Sequence, residues 1–266
     1  MKRIAWLTDI HLNFLLAAQL QSFLGELRAA RPDAVLLSGD IGESHSVCGY
    51  LEQLSDGIAV PIYFVLGNHD FYHGSIAETR GRVLQLGTRH ANLHYLLGED
   101  FVQLTPHVGL VGHDGWADGR LGDYPRSLVE MHDHKLISEL APHDKLSRWE
   151  VLKQLGEQAA VHLHRVLPLA FQSYRDVVLL THVPPFREAC WHAGALSDDQ
   201  WAPHFTCQAV GAVLLECMAA HPDQRLTVLC GHTHGRGECQ PLKNLQVFTG
   251  GAEYGHPIIE RVLELD

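Results

Sequence analysis

Short apolar runs recur along the chain at Ile4 to Leu7, Val35 to Leu37, Ile62 to Leu66, Val177 to Leu180 and Leu226 to Leu229, bounded by Gly or other turn-forming residues. Runs of this length predict strands buried on both faces of a sheet. Between them the pattern shifts to helical spacing. Strand 4–8 leads to a helix from about Leu15 to Ala30, ended by Arg31-Pro32; strand 34–38 leads to a helix around Val47 to Leu54; strand 60–66 leads to a helix from about Ser75 to Leu86. Such alternation predicts parallel pairing through crossover helices, hence an α/β fold.

Two further strands, 101–104 and 108–112, flank Thr105-Pro106-His107, which predicts a hairpin or tight turn. Residues 113–175 then interrupt the alternation with a polar loop and two helices. This stretch reads as a mainly helical insertion at the edge of the active site, within a single domain spanning 1–266. Ser147-Arg148-Trp149-Glu150 has the form of a capping box and predicts the start of the second helix. Trp149, Leu152, Leu155, Leu163, Val166 and Leu167 follow helical spacing, so packing outranks a ligand role for Trp149. His162 and His164 are two apart and do not share a helix face.

Composition narrows the class. Hydrophobic residues make up 46% of the chain and charged residues 19%, as in an ordinary soluble globular protein of 266 residues. No apolar stretch reaches the length of a membrane span, and Met1-Lys2-Arg3 runs straight into a strand, so a cytoplasmic enzyme with no membrane partner is expected. Six cysteines without a C-x-x-C pair argue against a zinc knuckle or a disulfide framework. A formal charge of -11 disfavours a broad nucleic-acid surface. It does not disfavour a small phosphorylated substrate, because two bound cations would reverse the field locally. Of the 20 histidines, those at 90, 94, 107, 132, 134, 143, 162, 164 and 221 sit in polar or amphipathic stretches and are expected in surface or capping roles.

The chemistry lies where the apolar runs stop. Ile4 to Leu7 precedes Asp9 and His11; Val35 to Leu37 precedes Asp40; Ile62 to Leu66 precedes Asn68 and His69; Val177 to Leu180 precedes His182; Leu226 to Leu229 precedes His232 and His234. In open α/β sheets ligands bind beyond the carboxyl ends of the strands, so one crevice can collect these distant residues. Asp9 and His11 alternate on an extended segment and can chelate one cation. Asp40 has two carboxylate oxygens and can bridge two ions, Asn68 offers a neutral oxygen, and the imidazoles suit Zn, Mn, Fe or Ni. Seven ligands suit two metals.

Asp9-Ile10-His11, Gly39-Asp40, Gly67-Asn68-His69-Asp70, His182 and Gly231-His232-Thr233-His234 together resemble the calcineurin-like metallophosphoesterase superfamily, in an arrangement similar to its bacterial phosphodiesterase and phosphatase branch. The resemblance implies a four-layer αββα sandwich with two mixed β-sheets and a dinuclear metal site at strand C-terminal ends. It implies one metal held by Asp9, His11, Asp40 and His234, and another held by Asp40, Asn68, His182 and His232, the ions being divalent or trivalent Mn, Fe or Zn. It assigns His69 to catalysis. Relatives with G-D-x-x-D use the second Asp to orient that histidine; here Glu43 stands in its place, and Ser44 replaces the basic residue that follows in the protein phosphatases.

The reaction expected is metal-assisted phosphoester hydrolysis. Two cations roughly 3.5–4 Å apart give a bridging hydroxide near neutral pH, and His69 serves as general acid for the leaving oxygen. A phosphodiesterase acting on a small or nucleotide-like substrate is expected, with a phosphomonoesterase on a small metabolite as the alternative. A nuclease fits less well, since no basic groove or stacking series is visible. A zinc amidohydrolase would open with H-x-H and has no use for Asp40 with Asn68; a non-catalytic scaffold would have lost ligands, and all seven are intact. Tyr72 and His113, next to or at strand ends, are the expected substrate contacts, with His73, Trp116 and His256 as further pocket candidates. The segment from Cys190 to His204 is expected to cover the site, with Trp191 and Trp201 stacking on a base or anchoring the loop.

Overall fold

The computed structural model describes residues 1–266. Its first part runs β1 (Lys2–Leu7), α1 (Ala17–Ala29), β2 (Ala34–Ser38), α2 (Val47–Gly57), β3 (Ile62–Val65), α3 (Ile76–Gly87), β4 (Leu93–Tyr95), β5 (Val102–Gln103) and β6 (Val108–His113). It continues with α4 (Asp133–Leu136), α5 (Lys145–Ser173), β7 (Asp176–Thr181), β8 (Trp191–His192), β9 (Ala195–Leu196), α6 (Ala202–Phe205), α7 (Gln208–Ala220), β10 (Arg225–Cys230), β11 (Gly237–Leu242), β12 (Leu245–Thr249) and β13 (Arg261–Leu265).

Two mixed sheets carry the fold. The first has the order β13-β1-β2-β3-β4 and the second β11-β12-β10-β7-β6-β5. Within the first, β1 to β4 pair in parallel and β13 joins β1 antiparallel. In the second, β12, β10, β7 and β6 are parallel while β11 and β5 close the edges antiparallel. Ile4, Trp6, Leu36 and Val65 of the first sheet pack against Leu110, Val178, Leu180 and Leu229 of the second. The opposite face of the first sheet takes Leu20, Phe23, Leu51 and Val83 from α1 to α3, and that of the second takes Leu163, Val166, Val210 and Leu214 from α5 and α7. Both faces of each sheet are covered, which is why the strand runs read as continuously apolar. The result is the expected αββα sandwich.

Local readings differ in places. The long helix of the 113–175 stretch begins one turn earlier than Ser147, with Asp144 as N-cap. The Asp144 carboxylate accepts Ser147 N–H at 2.9 Å and its hydroxyl at 2.7 Å. The same box geometry is thus filled by a better acceptor upstream. This helix connects β6 to its parallel neighbour β7 and packs on the second sheet and on α7, so it is a crossover element of the sandwich. The loop 114–132 and the short α4 are the parts that approach the site. Strands β4, β11, β12 and β13 and helix α7 had no clear signal in the apolar pattern; β11 and β13 are edge strands whose polar residues break the runs, while β12 is an interior strand too short to stand out.

Candidate metal centre

The loops that carry the expected ligands are zipped together by their own backbone. Asp9 N–H donates to Gly39 C=O at 3.0 Å, His11 N–H to Asp40 C=O at 2.9 Å and Leu12 N–H to Ile41 C=O at 2.8 Å. On the second sheet, His182 N–H donates to Asp114 C=O at 3.0 Å and Gly231 N–H to His182 C=O at 2.8 Å. β1 ends at Leu7, and Asp9 (φ 48°) and His11 (φ 38°) are both left-handed, so their common direction comes from a tight loop rather than from strand alternation as expected. Asp40, His232 and His234 are left-handed as well. Each such residue costs on the order of 1–2 kcal/mol, and strain of this kind concentrates at functional sites. Gly39 (φ 91°) is needed where the sheets meet, since a Cβ there would lie 2.6 Å from Gly67 N and 2.8 Å from His182 Nδ1.

All seven side chains come together. Asp9, His11, Asp40 and His234 present donor atoms within 4.8 Å of one another. His11 Nε2 lies 3.1 Å from His234 Nε2 and 3.7 Å from Asp40 Oδ2, and Asp9 Oδ1 lies 3.5 Å from His234 Nε2. Asp40 Oδ1 is 3.4 Å from His182 Nε2. Asn68 Oδ1 is 3.0 Å from His182 Nε2 and 2.9 Å from His232 Nδ1. Asp40 therefore stands between two groups of donors.

Neutral imidazoles cannot reconcile these contacts. His182 Nδ1 donates to Ser38 C=O at 2.8 Å and His232 Nε2 donates to His204 C=O at 2.9 Å, which leaves lone pairs on the two nitrogens that face Asn68 Oδ1. Asn68 Nδ2 donates to Asp133 Oδ1 at 2.9 Å, which fixes the amide oxygen toward the imidazoles. Three acceptors then face one another, an arrangement that a cation relieves. At the other group, buried His11 Nδ1 has no hydrogen-bond partner. The set of O and N donors without thiolate suits Mn, Fe or Zn.

Electrostatics agree with a cation-binding role. Burial pushes His11 down to about 2 and His232 to about 4, so both imidazoles are neutral with free lone pairs. Burial, with the charges of Asp9 and Asp70 beside it, holds Asp40 well above the usual carboxylate range. Positive charge at the centre would reverse that penalty.

His69 N–H donates to Asp40 Oδ1 at 2.9 Å, while the ring stacks on Tyr72 at 4.2 Å with Nε2 4.0 Å from Asp40 Oδ2. Burial lowers His69 to about 4, against the pull of Asp133. Glu43 makes no bond to His69; its carboxylate lies 3.8 Å from His45 Nδ1. Tyr72 is buried and its hydroxyl donates to Asp133 Oδ1 at 2.6 Å, so it supports His69 and Asn68 from behind.

The expected contact His113 is placed elsewhere. It is buried, its Nδ1 accepts Gly115 N–H at 3.0 Å, and its ring meets His162 of α5 at 5.2 Å. Adjacent strand residues face opposite sides, so it is Asp114 that points toward the strand ends. Burial pushes His113 down to about 3 from an ordinary 6.5, and protonation would also destroy the Gly115 bond. The unfolded chain therefore binds this proton first, and stability falls as pH drops from 6.5 toward 3. Between pH 7 and pH 5 the wild type should lose roughly 2 kcal/mol relative to His113→Asn, which keeps an acceptor without the titration. Urea unfolding of both proteins at the two pH values measures it, and parallel curves would refute it.

Several contributors were not assigned a role by the sequence, although Asp70 closes the Gly67-Asn68-His69-Asp70 motif. Asp70 accepts Ile41, Gly42 and Gly67 N–H at 2.8–2.9 Å and so ties the β2 and β3 loops together. Asp133 orients Asn68 and Tyr72; although burial opposes its ionisation, these bonds and the nearby imidazoles hold it below the usual carboxylate range. His134, expected at the surface, is buried beside it. Trp201 stacks on Phe205 at 5.2 Å, and Phe205 meets the His232 ring edge-on at 5.3 Å, so the tryptophan anchors the covering segment. Trp191 packs against the backbone at Gly235 and Gly237. Asp133→Ala should lower Mn²⁺ affinity or turnover about 10- to 100-fold, because Asn68 loses the partner that aims its oxygen. Calorimetric Mn²⁺ titration checks this; unchanged affinity and turnover would remove Asp133 from the site.

The model of the calcineurin-like phosphoesterase family matches residues 2–236. Solved structures of similar fold include a dimetal phosphatase from Danio rerio, at 17% identity over 97% of this chain and 88% of that chain, with a TM-score of 0.59. TT1561 of Thermus thermophilus matches at 17% identity over 94% and 89%, with a TM-score of 0.56. Phosphopantetheinyl hydrolase (PptH) from Mycobacterium tuberculosis matches at 15% identity over 93% and 89%, with a TM-score of 0.65. At these identities the likeness is one of fold. No curated protein matches the sequence. The family match takes in every ligand-bearing strand end from Asp9 to His234, and with this buried cluster the chain belongs to the calcineurin-like phosphoesterases, hydrolases of phosphoester bonds.

Proposed function

We propose that the chain is a dinuclear-metal phosphodiesterase acting on a small, nucleotide-like phosphoester, in the cytoplasmic setting expected from the sequence. The observation that carries this reading is the shared position of Asp40 between two donor groups, Asp9, His11 and His234 on one side and Asn68, His182 and His232 on the other. Those residues would hold one cation each, with Asp40 common to both. When bound, the pair supplies Lewis acidity toward phosphoryl oxygens and makes hydroxide available near neutral pH.

The protein's own groups do the rest. Asp133 keeps Asn68 turned to the centre, and Ser38 and His204 carbonyls fix the tautomers of His182 and His232. Tyr72 holds the His69 ring flat beside the cluster. His69 Nε2 then donates its proton to the leaving oxygen; a docked phosphoester brings negative charge against the ring and favours the protonated form.

Charge favours a diester over the monoester alternative. A monoester adds a second negative charge, and Arg236, which lines the groove beside His234, is already engaged with Glu260 at 3.0 Å. Metal analysis of the purified protein, then turnover of bis-p-nitrophenyl phosphate against p-nitrophenyl phosphate, tests the reading. A higher kcat/KM for the diester is expected; preference for the monoester would shift the function to a phosphatase, and cleavage of neither would end it.

A further inference from the structure

The rim of the centre carries aromatic surface that the metal ligands do not use. Phe14 follows His11 by one turn, Tyr254 lies in the loop between β12 and β13, and their rings meet at 4.6 Å. The Tyr254 ring also lies 4.6 Å from His11, 5.1 Å from His234 and 6.2 Å from His69. Even so, Phe14 is 51% and Tyr254 45% exposed. Leu16 at 73% and Ile258 at 41% flank them, so four of the eleven exposed large apolar side chains belong to two short segments that meet beside the reacting centre.

Exposed apolar surface gathered in this way marks a contact surface. What covers it follows from its position. A phosphoester held at the cluster must project its organic part outward, and Tyr254 packs against both His11 and His234 with Phe14 beside it. Packing against the imidazoles and Phe14 fixes the plane of Tyr254, and 45% of the residue stays exposed for a further contact. Aromatic rings prefer stacked or edge-on partners, so a planar group gains more there than a flexible chain. A groove of about 340 Å³ lined by His234, Arg236, Glu253, His256 and Ile258 adjoins the pair and offers polar edges to such a group.

We infer that Phe14 and Tyr254 form the specificity subsite of this enzyme, taking a planar aromatic group, aryl or nucleobase, attached to the phosphoester. The inference rests on the phosphoesterase reading above and names the substrate class for that site. Both residues determine specificity by contact with the substrate's organic part, and neither is one of the seven expected metal donors.

Phosphonates, whose P–C bond is not hydrolysed, test this by calorimetry on Mn²⁺-loaded protein. Phenylphosphonate and a nucleoside 5′-phosphonate should bind about 5- to 100-fold more tightly than methylphosphonate, the range of a lost base-stacking contact. Cyclohexylphosphonate, apolar but not planar, should fall close to methyl. Tyr254→Leu and Phe14→Leu, surface changes that keep apolar bulk, should shrink the planar advantage while methylphosphonate affinity stays the same. A larger gap for the nucleoside arm assigns the natural group to a nucleobase, and a larger gap for phenyl assigns it to a simple aryl. Equal binding of all four ligands, or cyclohexyl matching phenyl, would overturn the subsite and leave the phosphoesterase reading standing. Binding of none would overturn the subsite, while turnover of bis-p-nitrophenyl phosphate decides the phosphoesterase reading separately.

Discussion

His69→Ala lowers kcat by about 10²- to 10⁴-fold and leaves both cations bound, the loss expected when a general acid is removed from an intact site. The separation of the two effects follows from where the atoms are. The contact between His69 and Asp40 that shapes the cluster runs through the backbone, His69 N–H to Asp40 Oδ1 at 2.9 Å, and alanine keeps it. The ring itself sits farther out, with Nε2 4.0 Å from Asp40 Oδ2, and its close neighbours are the rings of Tyr72 and His11. None of the tight contacts among the seven donors passes through it. Metal content by elemental analysis and turnover of bis-p-nitrophenyl phosphate are the two measurements. Loss of a cation along with activity would make His69 a ligand, and the reaction would need another acid.

Asp114→Ala destabilises the protein by about 3–5 kcal/mol, the range for removing one partner of a buried ion pair. Asp114 follows β6 in the second sheet, yet its carboxylate serves the first. Oδ1 accepts Leu66 N–H at 2.8 Å at the end of β3, while Oδ2 accepts Arg80 Nε at 2.8 Å and the Tyr95 hydroxyl at 2.7 Å. With the carboxylate only 1% exposed and Arg80 17%, alanine leaves a guanidinium, a phenol and an N–H without their acceptor in a largely buried space. Adding Arg80→Met should recover part of the loss, because the stranded charge goes with it. Urea unfolding of the single and double variants measures the cycle. A single variant with an unchanged midpoint would show that the network adds nothing.

Both predictions concern groups of different legibility. That the seven side chains and His69 meet could be read from the sequence because each follows a buried strand, and burial on both faces leaves an unbroken apolar run that stops abruptly at the sheet edge. Helices α1 to α3 were legible within a few residues for a similar reason, their spacing being fixed by one packed face. The turn 105–107 likewise declared itself, since Thr105 Oγ1 accepts His107 and Val108 N–H within the same few residues.

Where a side chain's role depends on which face it takes, sequence order is not enough. His113 and Asp114 are neighbours, and a shift of one residue exchanges the face between α5 and the strand ends. The sequence favoured the histidine as the reactive type; the packed sheet gave that position to the aspartate. The capping of α5 is a smaller case, as Asp144 and Ser147 both fit the start of a helix and the backbone settles on Asp144.

The sequence alone determined the kinds of donor, their order and their attachment to strand ends, because these are written in local alternations of apolar and polar residues. Tertiary structure alone decided how they are aimed and what surrounds them. Asp133 reaches Asn68 across 65 positions, and Tyr254 reaches Phe14 across 240. No local pattern encodes such a meeting, since it exists only once two sheets have stacked and drawn their loops to one edge.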